Sequence, residues 1–130
     1  MHRIECVEAF GEVKVGEKGG WVESEQNLSQ DGDAWVCSNA KVYGDAKVYG
    51  DADYIVFKNW WSSGRYFTWT RSDNMWSVGC FYGTGEELIE KAYKDSELSG
   101  REYKRVVEYV ESILRDEKLK RIEYEQSSNN

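Results

Sequence analysis

The sequence predicts an α+β fold: a short parallel β-solenoid, then a three-strand antiparallel sheet, then two C-terminal α-helices. Three observations predict it. The chain repeats every six residues between Gly32 and Tyr54, residues 53–84 alternate in an aromatic pattern of period two, and two amphipathic segments follow. A six-residue period fits neither a helix nor a hairpin meander. It fits a solenoid in which each hexad forms one side and one corner.

The hexads read GDAWVC, SNAKVY, GDAKVY and GDADYI, with alanine at the third position and a larger apolar residue at the fifth. We expect the larger residue to fill the coil and the alanine to occupy a corner where only a methyl group fits. The pattern resembles the hexapeptide repeat of left-handed β-helix proteins, so the solenoid is predicted to be a short left-handed β-helix. Val22 and Leu28 continue the alanine position upstream in steps of six residues, which indicates about two coils in all.

The chain order then gives the predicted domains. Residues 1–55 form an N-terminal cap and the solenoid, with a turn at Gly19-Gly20. Residues 56–126 form the antiparallel sheet with a helical tail packed on it as one unit, and residues 127–130 form a disordered end. The three strands lie in DYIVFKNWW, RYFTWTR and MWSVGCFYG. In the third strand one face is expected to carry Trp76, Val78, Cys80 and Tyr82.

Two capping boxes predict the helix starts, one over residues 84–87 and one over residues 99–102. Behind the second box, apolar residues recur at steps of three and four and form an amphipathic stripe. The stripe is larger than one small domain needs to cover, so we predict a homodimer held by residues 100–117. The candidate dimer residues are Val106, Val107, Val110, Ile113 and Leu114.

Composition excludes several classes of protein. The 130 residues carry a net charge of −7, which disfavours nucleic-acid binding over the whole surface. No apolar run is long enough to span a membrane, and no secretion signal opens the chain. The three cysteines, Cys6, Cys37 and Cys80, are widely spaced and indicate neither a zinc site nor a disulfide framework. We therefore expect a cytoplasmic protein without a membrane partner or a cofactor.

No catalytic constellation is visible in the sequence, so we expect a protein that is not an enzyme. Left-handed β-helix acyltransferases use a histidine base, and the only histidine here is His2, close to the terminus. An acyltransferase-like enzyme stays an alternative. Asp33 and Asp51 are spaced to stack at one corner of neighbouring coils and could hold a cation, but both are more typical of exposed turns.

The aromatic residues exceed what a small core needs, and those left exposed would mark an interface. Together with arginine they are typical of protein-binding hot spots. They could equally line a small-ligand pocket or stack single-stranded nucleic acid. The acidic net charge favours a protein partner. The candidate interface residues are Tyr43, Tyr49, Trp60, Trp61, Arg65, Phe67, Trp69 and Arg71.

Two blocks of the sequence resemble a family of small phage and prophage hexapeptide-repeat proteins. The first block is GGWVESEQNLSQDG with the hexads, and the second is GCFYGTGEE at residues 79–87 before a helical tail. The resemblance covers about residues 19–115 and implies a mobile-element origin and a bacterial host cytoplasm. Such elements encode inhibitors of host defence, including anti-CRISPR proteins. A CRISPR effector or another host defence protein is the partner that the resemblance implies.

Overall fold

The computed structural model describes residues 1–7, 10, 13–30, 34–44, 46–48, 50 and 53–128. The elements in chain order are β1 (His2–Glu5), β2 (Lys18–Val22), a 3-10 turn (Glu25–Asn27), β3 (Lys41–Val42), β4 (Tyr54–Lys58), β5 (Tyr66–Thr70), β6 (Met75–Val78), β7 (Phe81–Gly83), α1 (Gly85–Asp95) and α2 (Glu97–Ser128). The first sheet has the order β1-β2-β3, and the second has the order β4-β5-β6-β7. Contacts divide the chain into two compact units, Met1–Leu88 and Ile89–Asn130.

The α+β class and the two helices are confirmed, but the left-handed β-helix is wrong, because the strands form two separate sheets. Among the described hexad residues, the two residues of β3 and the first two of β4 lie in strands, and Val48 makes an isolated bridge. The parallel partner of Val42 is Val22 and that of Val48 is Leu28, both of which precede the hexads. Within the described residues, the hexads before β4 therefore pair with this upstream segment and do not stack on one another as coils.

The repeat nevertheless marks which side chains are buried. Val36, Val42 and Val48 are fully buried, and Ala40 and Ala46 are buried beside them. They form one core cluster with Val22. Five half-buried side chains pack against it, three from the two sheets and two from outside the strands: Ile4, Tyr54 and Val56, and Leu28 and Cys37. Alternation along an extended chain puts every second side chain on one face, so the spacing determines burial even where few strand hydrogen bonds form.

Gly19 and Gly20 do not form the predicted turn, because both lie inside β2. The Gly20 amide donates to the Val36 carbonyl at 2.7 Å, and the Trp21 amide donates to the Ala40 carbonyl at 3.0 Å. The chain thus runs close against the 36–40 segment at a point where the glycines have no side chain. Glycine in a strand interior often marks such a close backbone approach.

The second sheet has four strands where the sequence predicted three. The predicted third strand is a hairpin of β6 and β7, in which Val78 pairs with Phe81 and Ser77 pairs with Tyr82. Gly79 has a φ of +57° at the turn, a conformation that glycine adopts without steric cost. Cys80 is therefore an exposed turn residue. Tyr82 lies on the face of Ser77, opposite to that of Trp76.

The first predicted capping box is present, whereas the residues of the second predicted box, 99–102, lie inside helix α2. The Glu87 amide donates to Thr84 Oγ1 at 3.2 Å, and the Thr84 amide donates to Glu87 Oε1 at 3.4 Å. Helix α2 already begins at Glu97, and the Ser99 amide donates to Ser96 Oγ at 3.0 Å, so Ser96 acts as the cap. The helix continues to Ser128. No helix in the described part of the chain is long and apolar enough to cross a membrane.

Replacing Ala46 with leucine should destabilise unit Met1–Leu88 by about 1–3 kcal/mol, because the larger side chain overpacks a site that is 1% exposed. Thermal unfolding measures the effect. The matched control is Lys41→Leu, at an exposed position of the same segment. Equal effects at Ala46 and Lys41 would contradict the assignment of inward and outward positions.

Candidate functional site

The predicted interface residues divide into surface and core. Trp60 is 70% exposed and Arg65 is exposed, whereas Phe67 and Trp69 are 1% and 0% exposed. The last two are therefore core residues of the second sheet and offer no surface to a partner. Half-buried positions are held by Tyr43, Trp61 and Arg71, while Tyr49 lies outside the described residues.

The loop that presents Trp60 is fixed by hydrogen bonds around the buried Asn59. The Asn59 amide donates to the Arg65 carbonyl at 2.9 Å, and the Gly64 amide donates to Asn59 Oδ1 at 3.0 Å. Gly64 has a φ of +73°, which closes the loop in a conformation that other residues rarely adopt. Trp60 is thus an exposed indole on an ordered hairpin, with little loop entropy to lose when a partner binds.

A series of ring contacts connects Trp60 to the interior. Trp60 meets Trp61 edge to face, with centroids 5.9 Å apart and an angle of 88° between the rings. Trp61 in turn meets Phe67 at 6.3 Å, and Phe67 stacks on Phe57 at 5.5 Å. These separations and angles are typical of favourable aromatic pairs. The half-buried Trp61 therefore supports the exposed ring against the sheet core.

Tyr66 is a surface aromatic residue that the sequence analysis missed. It is 45% exposed and pairs with Lys58 across β4 and β5, with Lys58 Nζ 5.8 Å from the centre of its ring. Alternation with the buried Phe67 could not have found it, because Thr68 and Thr70, on the same face of β5 as Tyr66, are 1% exposed. We call Lys58, Trp60, Arg65 and Tyr66 together the hairpin end.

Arg65 and Tyr43 both approach the turn between β6 and β7. A Cβ atom added to Gly79 would collide with Arg65 Nη1, so the guanidinium lies directly against this glycine. The Tyr43 hydroxyl donates to the Gly79 carbonyl at 3.4 Å. Burial raises the pKa of Tyr43 above its ordinary value, and Cys80 and Glu23 add to the rise. The Tyr43 hydroxyl is therefore a neutral donor at physiological pH.

The hairpin end differs in charge from the rest of the chain. No aspartate or glutamate occurs between residues 54 and 72, which contain Lys58, Arg65 and Arg71. Within the described residues, no ion pair engages Lys58 or Arg65. Two exposed cations thus lie on the same hairpin as two exposed aromatic rings, on a protein whose net charge is −7.

Several residues that bear on the enzyme and small-ligand alternatives lie in the described part of the chain. His2 is an exposed residue of β1. Trp69 and Trp76 are 0% and 2% exposed and belong to the aromatic core. The described residues include no group of three or more His, Cys, Asp or Glu side chains that could hold a metal ion. Asp33 and Asp51 lie outside those residues.

One surface groove of about 440 Å³ is formed by β1 and residues 22–30. Its lining includes the basic Arg3, the acidic Glu23 and Glu25, and the apolar Leu28. It contains none of the predicted interface residues. The groove is therefore separate from the hairpin end.

The predicted dimer stripe lies on α2. Val107 and Val110 are 3% and 1% exposed in the single chain, and Val106, Ile113 and Leu114 are half-buried. The two fully buried valines thus already have their apolar surface covered without a second copy. The homodimer stays a prediction.

Three comparisons with known proteins add no relative to this description. No family model, no curated protein and no solved structure matches the chain. The candidate function therefore depends on the geometry and chemistry of the hairpin end.

Proposed function

We propose that this protein is not an enzyme and that it binds a protein partner through the hairpin end. The observation that carries the proposal is Trp60, which is 70% exposed on a loop fixed by Asn59. Tyr66 and Arg65 lie on the same hairpin, and Trp, Tyr and Arg are the residue types most enriched in binding hot spots. An exposed tryptophan supported from below gives a partner a rigid apolar anchor.

The partner that we propose is a host protein, and binding would inhibit it. This part of the proposal is supported by the resemblance of GGWVESEQNLSQDG, the hexads and GCFYGTGEE to small phage proteins. Under it, the protein acts in a bacterial cytoplasm, and the target is a defence protein such as a CRISPR effector. A small protein can inhibit by covering a site on its target and needs no catalytic residue to do so.

Removing the Trp60 side chain should abolish partner binding. Tagged wild-type protein and the Trp60→Ala variant are used to capture proteins from bacterial lysate, and the retained proteins are identified by mass spectrometry. We expect one partner to be retained by the wild type and lost with the variant. In a reconstituted complex, loss of a hot-spot side chain should cost about 2 kcal/mol or more, which is roughly thirtyfold in Kd.

The matched control is Tyr109→Ala, which removes an aromatic side chain that is 56% exposed on α2. Both variants should unfold within a few degrees of the wild type, since exposed side chains contribute little to stability. Capture of the same proteins by wild type and Trp60→Ala, or capture of none by either, would contradict the proposed function. Loss of the partner with Tyr109→Ala alone would move the interface to α2.

A further inference from the structure

The hairpin end combines two exposed aromatic rings with two exposed cations. Lys58 Nζ lies 5.8 Å from the centre of the Tyr66 ring, and the Arg65 guanidinium rests on Gly79. Both cations are exposed, and neither makes an ion pair with a described residue. Their charge is therefore available to an incoming group, while the rest of the chain carries an excess of acids.

We propose that the hairpin end binds an acidic segment of the partner protein, in which carboxylates flank an apolar side chain. The inference rests on the proposed function and names the chemistry of the partner. Carboxylates would pair with Lys58 and Arg65, and arginine can hold a carboxylate by two parallel hydrogen bonds. The apolar side chain would pack on Trp60. Complementary charge would also speed association and orient the segment on the hairpin.

A short acidic segment fits this surface better than a nucleic-acid strand does. Nucleic acid presents a continuous row of phosphates, and its affinity rises with the number of cations that neutralise them. The hairpin supplies two exposed cations, Lys58 and Arg65, and no acid breaks the run between residues 54 and 72. Residues 1–53 contain more acids than bases and would repel an extended polyanion. A segment with a few carboxylates matches the small positive area.

The first test uses three labelled probes and fluorescence anisotropy. The acidic probe is a peptide with paired glutamates on both sides of a phenylalanine, the neutral probe replaces every glutamate with glutamine, and the third probe is an oligothymidylate of similar length. We expect the acidic peptide to bind most tightly of the three probes. We expect its affinity to fall as the salt concentration rises from about 50 to 200 mM. Tighter binding of the oligothymidylate or of the neutral peptide would overturn the inference, as would binding of no probe.

The second test reverses the charges of the hairpin end. The Lys58→Glu, Arg65→Glu double variant should bind the acidic peptide about tenfold more weakly or worse than the wild type does. The salt concentration should no longer affect this binding. The control is Lys104→Glu combined with Arg115→Glu, which makes the same change in net charge at exposed positions of α2. Equal weakening by both double variants would show a general charge effect and overturn the inference. Circular dichroism and thermal unfolding establish that each variant folds.

The two proposals fail in different ways. A captured partner that needs Trp60 but is bound equally by the wild type and the Lys58→Glu, Arg65→Glu variant would overturn the acidic segment and leave protein binding intact. The charge variant could fail to bind the peptide while the Trp60→Ala variant still retains every captured protein. That result would instead overturn the proposed function. The expected result is that both the Trp60 variant and the charge variant release the same partner.

Discussion

Replacing Gly20 with alanine is expected to destabilise the protein by about 3 kcal/mol or more, a larger effect than most core substitutions give. A Cβ atom at this position would lie 2.5 Å from the Ala40 carbonyl oxygen and 2.7 Å from Val36 Cγ1, and it would also meet the Cys37 carbonyl. Two of these three atoms belong to the backbone and cannot rotate away. The first sheet would have to separate from the 36–40 segment, which would break the hydrogen bond between the Gly20 amide and the Val36 carbonyl.

Thermal unfolding followed by circular dichroism should show the Gly20→Ala variant melting roughly 10 °C or more below the wild type. The matched control is Gly50→Ala, since a Cβ at Gly50 meets no atom of the described residues within 4 Å and Gly50 has no positive φ. It should be neutral or slightly stabilising, because alanine restricts the unfolded chain. A Gly20→Ala variant that unfolds with the wild type would show that β2 does not pass this close to the hexads.

Replacing Asn27 with leucine is expected to cost about 3–4 kcal/mol, because it removes four hydrogen bonds from a residue that is 1% exposed. Asn27 Nδ2 donates to the Ala46 carbonyl at 2.7 Å and to the Gly44 carbonyl at 3.0 Å. Its Oδ1 accepts from the Ser24 amide at 2.8 Å and from Ser24 Oγ at 3.5 Å. The side chain thus connects the 3-10 turn to the hexads, and leucine would remove this partner from the buried Ala46 carbonyl and from the part-buried Gly44 carbonyl and Ser24 amide.

The Asn27→Asp variant tests the two hydrogen bonds that the Asn27 side chain donates separately from those that it accepts. Aspartate has nearly the same size and can still accept from the Ser24 amide, but its carboxylate would face two carbonyl oxygens. We expect it to destabilise about as much as leucine does, measured by urea unfolding. Asn39→Leu, at an exposed turn position, is the control and should change stability by less than about 0.5 kcal/mol. An Asn27→Asp variant as stable as the wild type would contradict the donor role.

Part of the candidate site could be predicted from the sequence. Trp60 and Arg65 were identified from residue type, and both are exposed. Phe67 and Trp69 were grouped with them, but they are core residues, because type alone does not say which face of a strand is covered. Lys58 and Tyr66 were missed, since their pairing across β4 and β5 brings together residues that are separated in the chain.

The sequence by itself determined the α+β class, the first helix cap and the buried positions of the hexads, because these depend on local periodicity and on neighbours in the chain. Val36, Val42 and Val48 are buried, as alternation requires. Only the tertiary structure decided which segments pair. The parallel partner of Val42 is Val22, in a strand that the sequence had marked as following a turn. Strand pairing depends on contacts between segments that are distant in the chain. The close approach at Gly20 and the hydrogen bonds of the buried Asn27 determine these contacts, and a six-residue period contains no information about either of them.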